Sequence, residues 1–227
     1  MTTVLSHEAK HSFALAQRQS DALLNRRSYI GRFAPSPTGP LHFGSLLTAV
    51  ASYCDAKANH GKWLVRIEDT DIPRIYPHSE AHILSCIDAF QFEPDAEIIF
   101  QKDRLELYEQ VLEQLKQIQA VYACQCTRKM LGSNHIYAGT CRDLRLDFSQ
   151  QAIRLKVADQ LICFNDRLQG KQCSNLQHDL GDFVLKRRDG IISYQLAVVV
   201  DDYLQGITHV VRGADLLDNT TRQIWLG

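Results

Sequence analysis

Three groups of residues have types and spacings that could do chemistry. The first is the run Arg32-Phe33-Ala34-Pro35-Ser36-Pro37-Thr38-Gly39-Pro40-Leu41-His42-Phe43-Gly44-Ser45. Its prolines forbid regular structure and force a loop. A helical periodicity begins at Ser45, so the loop ends on a helix N-terminus, where unpaired N–H groups and a partial positive charge attract phosphate. Gly44 keeps a Cβ out of the way of a flat ring. His42 can donate to a phosphate oxygen as charge builds on it. The competing reading is a proline-rich connector with a solvated histidine. Neither Gly-x-Gly-x-x-Gly nor the Gly-Lys-Ser/Thr phosphate loop occurs in the chain, which disfavours those two binding modes.

The second group is charged. Arg32 ends one expected strand, Arg212 ends a later one, and Glu68 follows a third. A guanidinium fork pairs a carboxylate with two hydrogen bonds, and parallel sheets bind ligands outside the carboxyl ends of their strands. The alternative is that these charges only pair with one another. Asp201 and Asp202 are adjacent and lack the separation that a hydrolase's two carboxylates need, so they read as helix-surface or structural groups. The third group is Cys124-x-Cys126, Tyr137 and Cys141, three thiols and a phenol within 18 positions. A structural zinc takes four ligands, usually Cys and His. The Cys-x-Cys gap departs from the commoner spacing, so three reduced cysteines in a loop is the rival, and His135 competes with Tyr137 as fourth ligand. His78 and His82 lie one turn apart around Ser79-Glu80-Ala81, which does not match the zinc-protease pattern and reads as a solvated helix face.

Several elements must position these groups. Tyr29–Phe33 reads as a strand, Ser45–Lys57 as a helix and Lys62–Ile67 as a strand; together they make a βαβ unit and hence a parallel sheet. Glu80–Phe90 is a second helix. A third is capped by Asp103 with Glu106 three residues on, and its apolar face is Tyr108, Val111, Leu112, Leu115 and Ile118. Cys124–Arg145 is irregular, Ile153–Val157 alternates as a strand, and this middle segment reads as an insert. Asp189-Gly190 predicts a hairpin between Phe183–Arg187 and Ile191–Leu196. Ile207–Val211 reads as a buried strand, and Asp218 or Asn219 caps a last helix.

The chain has 227 residues, is 45% hydrophobic and 22% charged, and carries a formal charge of −1. This is ordinary globular composition. No apolar run reaches the roughly 20 residues that span a bilayer, so a soluble protein is expected. No global field steers nucleic acid, and RNA contact would fall to local groups such as Lys186, Arg187 and Arg188, unless these form a solvated turn. Seven cysteines behind an opening stretch without a signal-peptide core fit a reducing compartment better than a disulfide framework.

The loop resembles the first signature of the class I glutamyl-tRNA synthetases, with His42-Phe43-Gly44-Ser45 standing for His-Ile-Gly-His and Ser in place of the second His. The resemblance continues in Arg66-Ile67-Glu68-Asp69-Thr70-Asp71 and through Asp182–Gly213. The cysteine pattern is similar to that of the short glutamyl-Q tRNA(Asp) synthetase branch, which lacks an anticodon-binding domain. The resemblance implies an α/β fold: a Rossmann-like parallel-sheet nucleotide-binding catalytic domain with an inserted, zinc-bearing α+β subdomain and a truncated C-terminal part. The expected division is a flexible extension over 1–28, a first catalytic half over 29–120, the insert over 121–180 and an incomplete second half over 181–227.

The resemblance further implies that Arg32, Phe33, Ala34, Pro35, Ser36, Glu68, Tyr194 and Arg212 line a glutamate site. Arg32 and Arg212 would take the carboxylates, Glu68 the ammonium, and Tyr194 a hydrogen bond. His42, Gly44 and Ser45 would bind ATP with its Mg2+, His42 acting in catalysis. One structural zinc would sit on Cys124, Cys126, Tyr137 and Cys141. The implied enzyme is a cytoplasmic, monomeric ligase with no membrane partner. It activates L-glutamate with ATP and passes it to the queuosine base of tRNA(Asp). The alternatives are a glutamyl-tRNA synthetase fragment charging tRNA(Glu) and a catalytically impaired RNA- or metabolite-binding relative. The family's lysine loop is expected beyond residue 227, so this chain is expected to perform pyrophosphate exchange poorly unless extended.

Overall fold

The computed structural model describes residues 28–131 and 136–227. The expected N-terminal extension, Ser28 apart, and His135 lie outside the described residues. Strand β1 (Ile30–Phe33), helix α1 (Phe43–Ala58) and strand β2 (Lys62–Ile67) form the βαβ unit, with Arg32 opposite Leu64 in a parallel pair. Strand β3 (Ile99–Phe100) joins β2 and strand β9 (His209–Val210) joins β1, giving a parallel sheet of order β3-β2-β1-β9. Trp63, Val65 and Ile67 are buried under Ala49 and Ala56 of α1 and Ile83 and Ile87 of α2 (Ser79–Ala89). A strand so covered carries a nearly continuous apolar run. The Trp63 indole N–H donates to Ser52 Oγ at 2.9 Å, so the core has no orphan there.

A second, antiparallel sheet has the order β4-β5-β8, from β4 (Val121–Cys124), β5 (Ala152–Leu155) and β8 (Phe183–Lys186). Helices α3 (Leu105–Gln117) and α5 (Tyr194–Leu204) pack on it through Tyr108, Leu112, Leu155, Leu185, Leu196 and Ala197. The β4-to-β8 region also carries the short α4 (Arg128–Leu131) and the hairpin of β6 (Leu161–Asp166) and β7 (Gly170–Asn175); α6 (Asn219–Leu226) closes the described chain.

Several expectations are corrected. Asp103 does not cap α3. It sits in a 3-10 turn, Gln101–Arg104, whose Gln101 and Arg104 side chains are drawn to Asp201 at 2.9 and 2.8 Å, and α3 starts without a side-chain cap. Ile118 is 70% exposed, beyond the end of the helix's buried stripe. Ile191–Leu196 is no strand: Ile192 makes one bridge to Lys186, and the chain then turns into α5. Leu196, Ala197, Val198 and Val200 are all buried, and a helix buried on most faces carries an apolar run that reads like a strand. β9 is a two-residue edge with both residues exposed. Lys186, Arg187 and Arg188 each have a partner within the chain. Lys186 pairs with Glu109, Arg187 with Asp71 and Asp189, and Arg188 donates to the Gln125 carbonyl. Finally, Cys163 and Cys173, opposite each other in the β6–β7 register, are joined as a disulfide, while Cys54, Cys86, Cys124, Cys126 and Cys141 are free.

Candidate active site

The loop after β1 is fastened to the strand beside it. The Glu68 N–H donates to the Pro35 carbonyl at 2.9 Å and the Tyr76 N–H to the Pro37 carbonyl at 2.9 Å. Arg32 to Ser36 are thereby held against the end of β2. At the other end of the loop, His42 is the N-cap of α1. Its Nδ1 accepts from the Ser45 N–H at 3.2 Å, and its Nε2 lies 3.1 Å from Ser45 Oγ. An accepting Nδ1 puts the neutral ring's proton on Nε2, the nitrogen able to donate to an anion. Gly44 has a role beyond admitting a flat ring: a Cβ there would come within 3.0 Å of the His42 ring. His42, Phe43 and Gly44 are exposed.

Arg32, Arg66 and Glu68 are buried at the carboxyl ends of β1 and β2. Arg66 donates through Nη2 to Glu68 Oε1 at 3.3 Å and to Asp202 Oδ1 at 2.7 Å, and through Nη1 to Gln205 at 2.6 Å. Asp202 also takes both Nε and Nη2 of Arg32 at 3.3 Å. Burial pushes the Glu68 carboxyl up to about 7; Arg66 and Arg32 oppose that rise, and Asp202 adds to it. Tyr194, at the start of α5, has its phenol raised by burial first and then by Glu68, with Arg32 and Arg212 pulling the other way. Arg212 donates to Gln223 Oε1 at 2.7 Å and to Thr220 Oγ1. The arrangement offers guanidinium groups for carboxylates and one carboxylate for a cation. The rival reading holds in part, since Arg32 is already paired, though with Asp202 rather than Glu68.

Of the two readings of Asp201 and Asp202, the structural one holds, while their partners were not foreseen. Asp202 is no surface group, and Asp201 is fully buried, accepting from Gln101, Arg104 and the Tyr108 hydroxyl at 2.9, 2.8 and 2.7 Å. Two adjacent acids at the end of a strongly apolar helix were the available signal, because such a helix has little exposed surface on which to carry them.

The cysteines also converge. Cys124, Cys126 and Cys141 have their sulfurs within 4.8 Å of one another. The Tyr137 hydroxyl lies 3.4 Å from Cys124 Sγ and 3.6 Å from Cys126 Sγ, and accepts the Cys141 N–H at 3.0 Å. Sulfurs around a tetrahedral zinc stand about 3.8 Å apart, given a Zn–S bond of about 2.3 Å, so this donor set fits a metal ion. Gly181 seats the phenol: at φ +65° it bridges to Tyr137, and a Cβ would meet the Tyr137 backbone at 2.6 Å. Arg154 lies over the Tyr137 ring and donates to Cys124 Sγ at 3.3 Å. Asp182 braces the region, accepting from the Tyr122 hydroxyl at 2.6 Å, the Val157 N–H at 2.8 Å and Arg142. His78 stands at the N-cap position of α2 without a side-chain capping bond, and both it and His82 are exposed, as expected of a solvated face.

The model of the class I tRNA synthetase (E and Q) catalytic domain matches residues 30–227. The chain belongs to this family. It is 82% identical over 200 residues to a glutamyl-Q tRNA(Asp) synthetase of Acinetobacter baylyi, covering 88% of this chain and 68% of that protein. A second glutamyl-Q tRNA(Asp) synthetase, from Dechloromonas aromatica, is 52% identical over 208 residues, covering 87% and 69%. Among solved structures, a glutamate tRNA ligase from Elizabethkingia meningosepticum in complex with its amino acid aligns with a TM-score of 0.78 at 31% identity. That alignment covers 88% of this chain and 46% of the ligase. The chain thus spans about two thirds of the curated relatives and less than half of the ligase. No helix among the described residues of this synthetase domain is long and apolar enough to cross a membrane.

Proposed function

We propose that the protein activates L-glutamate with ATP and transfers it to the queuosine base of tRNA(Asp). In the first step a glutamate α-carboxylate oxygen attacks the α-phosphorus of ATP, forming glutamyl-adenylate and releasing pyrophosphate. In the second, a hydroxyl of the queuosine cyclopentenediol attacks the activated carbonyl and AMP leaves. Arg32 and Arg212 hold the two carboxylates, Glu68 takes the ammonium and Tyr194 donates a hydrogen bond, with Phe33, Ala34, Pro35 and Ser36 as the wall. The Nε2–H of His42, Ser45 and the open N-terminus of α1 face the phosphates, which Mg2+ accompanies, and Gly44 leaves room beside them. Catalysis here is positioning and charge stabilisation, with no covalent protein intermediate.

The observation that carries the reading is the burial of Arg32, Arg66 and Glu68 at the carboxyl ends of β1 and β2, where Asp202 takes both arginines and the Glu68 N–H fastens the loop that ends at His42. The 82% identity to a glutamyl-Q tRNA(Asp) synthetase supports the choice of acceptor. We also read the cysteine cluster as a zinc site held by Cys124, Cys126, Tyr137 and Cys141. Zinc there cross-links the insert and takes no part in the reaction. The enzyme acts as a monomer in the cytoplasm. The test is incubation with ATP, labelled glutamate, queuosine-bearing tRNA(Asp) and tRNA(Glu), followed by mapping of the labelled nucleotide. Label on queuosine is expected. Label at the 3′ end of tRNA(Glu) instead would make the chain part of a glutamyl-tRNA synthetase.

A further inference from the structure

We propose that Asp202 is a positioning residue for amino-acid recognition, holding the Arg32 guanidinium in the orientation that meets a dicarboxylic substrate. The proposal rests on the glutamate reading above. Asp202 lies eight positions after Tyr194 on α5, a little over two turns, so both sit on one side of the helix. Its carboxylate takes Nε and Nη2 of Arg32, each at 3.3 Å, so one edge of the guanidinium plane is clamped by two bonds. Nη1 makes no hydrogen bond to the described residues and is left for a ligand. The same carboxylate accepts Arg66 Nη2 at 2.7 Å, and Gln205 accepts Arg66 Nη1 at 2.6 Å.

Asp202 thus aims Arg32 outward from a point that Arg66 also holds. Gln205 and the fully buried Asp201, 3.7 Å from Arg66 Nε, hold the far side of the same network.

The experiment is calorimetric titration of the wild-type chain, D202N and D202E with glutamate, and separately with a non-hydrolysable ATP analogue and Mg2+. Thermal midpoints are measured on the same samples. D202N keeps the shape and loses the charge. It is expected to weaken glutamate binding roughly tenfold to a hundredfold while the analogue's Kd stays within about twofold. D202E, with the charge restored, is expected to recover part of the affinity. Unchanged glutamate affinity in D202N would overturn the proposal. So would a parallel loss of analogue affinity and thermal midpoint, which marks a merely structural acid. A wild-type chain that binds no glutamate would overturn the glutamate reading, and this proposal with it.

Discussion

At the scale of single residues, the charges at the strand ends explain both the affinity offered and its cost. Glu68 is buried, and its carboxyl sits near 7 rather than in the ordinary range. A raised folded pKa means that the folded state holds this proton more tightly than the unfolded chain. Its contribution is fully favourable below the unfolded value near 4.5 and is lost as pH rises through about 7. The loss amounts to roughly 3 kcal/mol. Glu68→Gln removes the titration, so its unfolding free energy relative to wild type should rise between pH 4.5 and 8, measured by denaturant melts. A difference that stays constant across that window contradicts the account. When an ammonium arrives, Glu68 must ionise. Calorimetry near pH 6.5 in buffers of different ionisation heats should show proton release on glutamate binding, and binding without protonation change would speak against Glu68 as the ammonium partner. At the cysteine cluster, Cys141→Ser should lower bound zinc well below the expected one per chain, by metal analysis. Wild-type metal content in that variant would remove the assignment.

At the scale of elements, two close approaches decide where ligands point. Gly181 lets the backbone pass against Tyr137, and Gly44 lets the His42 ring fold back on Ser45. Gly181→Ala combines a positive φ with a 2.6 Å clash. It should cost more than about 1 kcal/mol and reduce metal content, because the phenol would be displaced from the sulfurs. Full stability together with full metal content would show that Tyr137 needs no such seat. The elements also mark how far the sequence can be read. The βαβ unit was legible because the alternation of Trp63, Val65 and Ile67 and the periodicity of α1 are local signals. The start of α5 was not, since its burial on several faces hides helical periodicity. The cap of α3 was overridden by the pull of Asp201 on Gln101 and Arg104. Arg32, Glu68, Tyr194 and Arg212 could be picked out from motif and strand-end position. Asp202 could be read as a structural group, but its pairing with Arg32 could not, because that partner lies 170 positions away.

At the scale of the whole molecule, the antiparallel sheet and α5 share one apolar core through Ile153, Leu155, Leu185, Leu196 and Ala197, so the segments 121–180 and 181–227 should unfold together. Leu185→Ala, at a fully buried position, should cost about 2–5 kcal/mol. It should shift a single calorimetric transition rather than split it; two separated transitions would show that the insert folds by itself. The tie from Arg187 in the β8 turn to Asp71 beyond β2 is half-exposed and adds little to this coupling. What the shared core does is hold α5, with Asp202 on Arg32 and Arg66, against the ends of β1 and β2, where we propose that the amino acid binds. Diffraction from crystals of the chain grown with glutamate tests this most directly. The account predicts carboxylates against Arg32 and Arg212 and the ammonium against Glu68, with Asp202 still clamping Arg32. Glutamate bound elsewhere, or Arg212 still engaged only by Gln223 and Thr220 beside an ordered ligand, would contradict it.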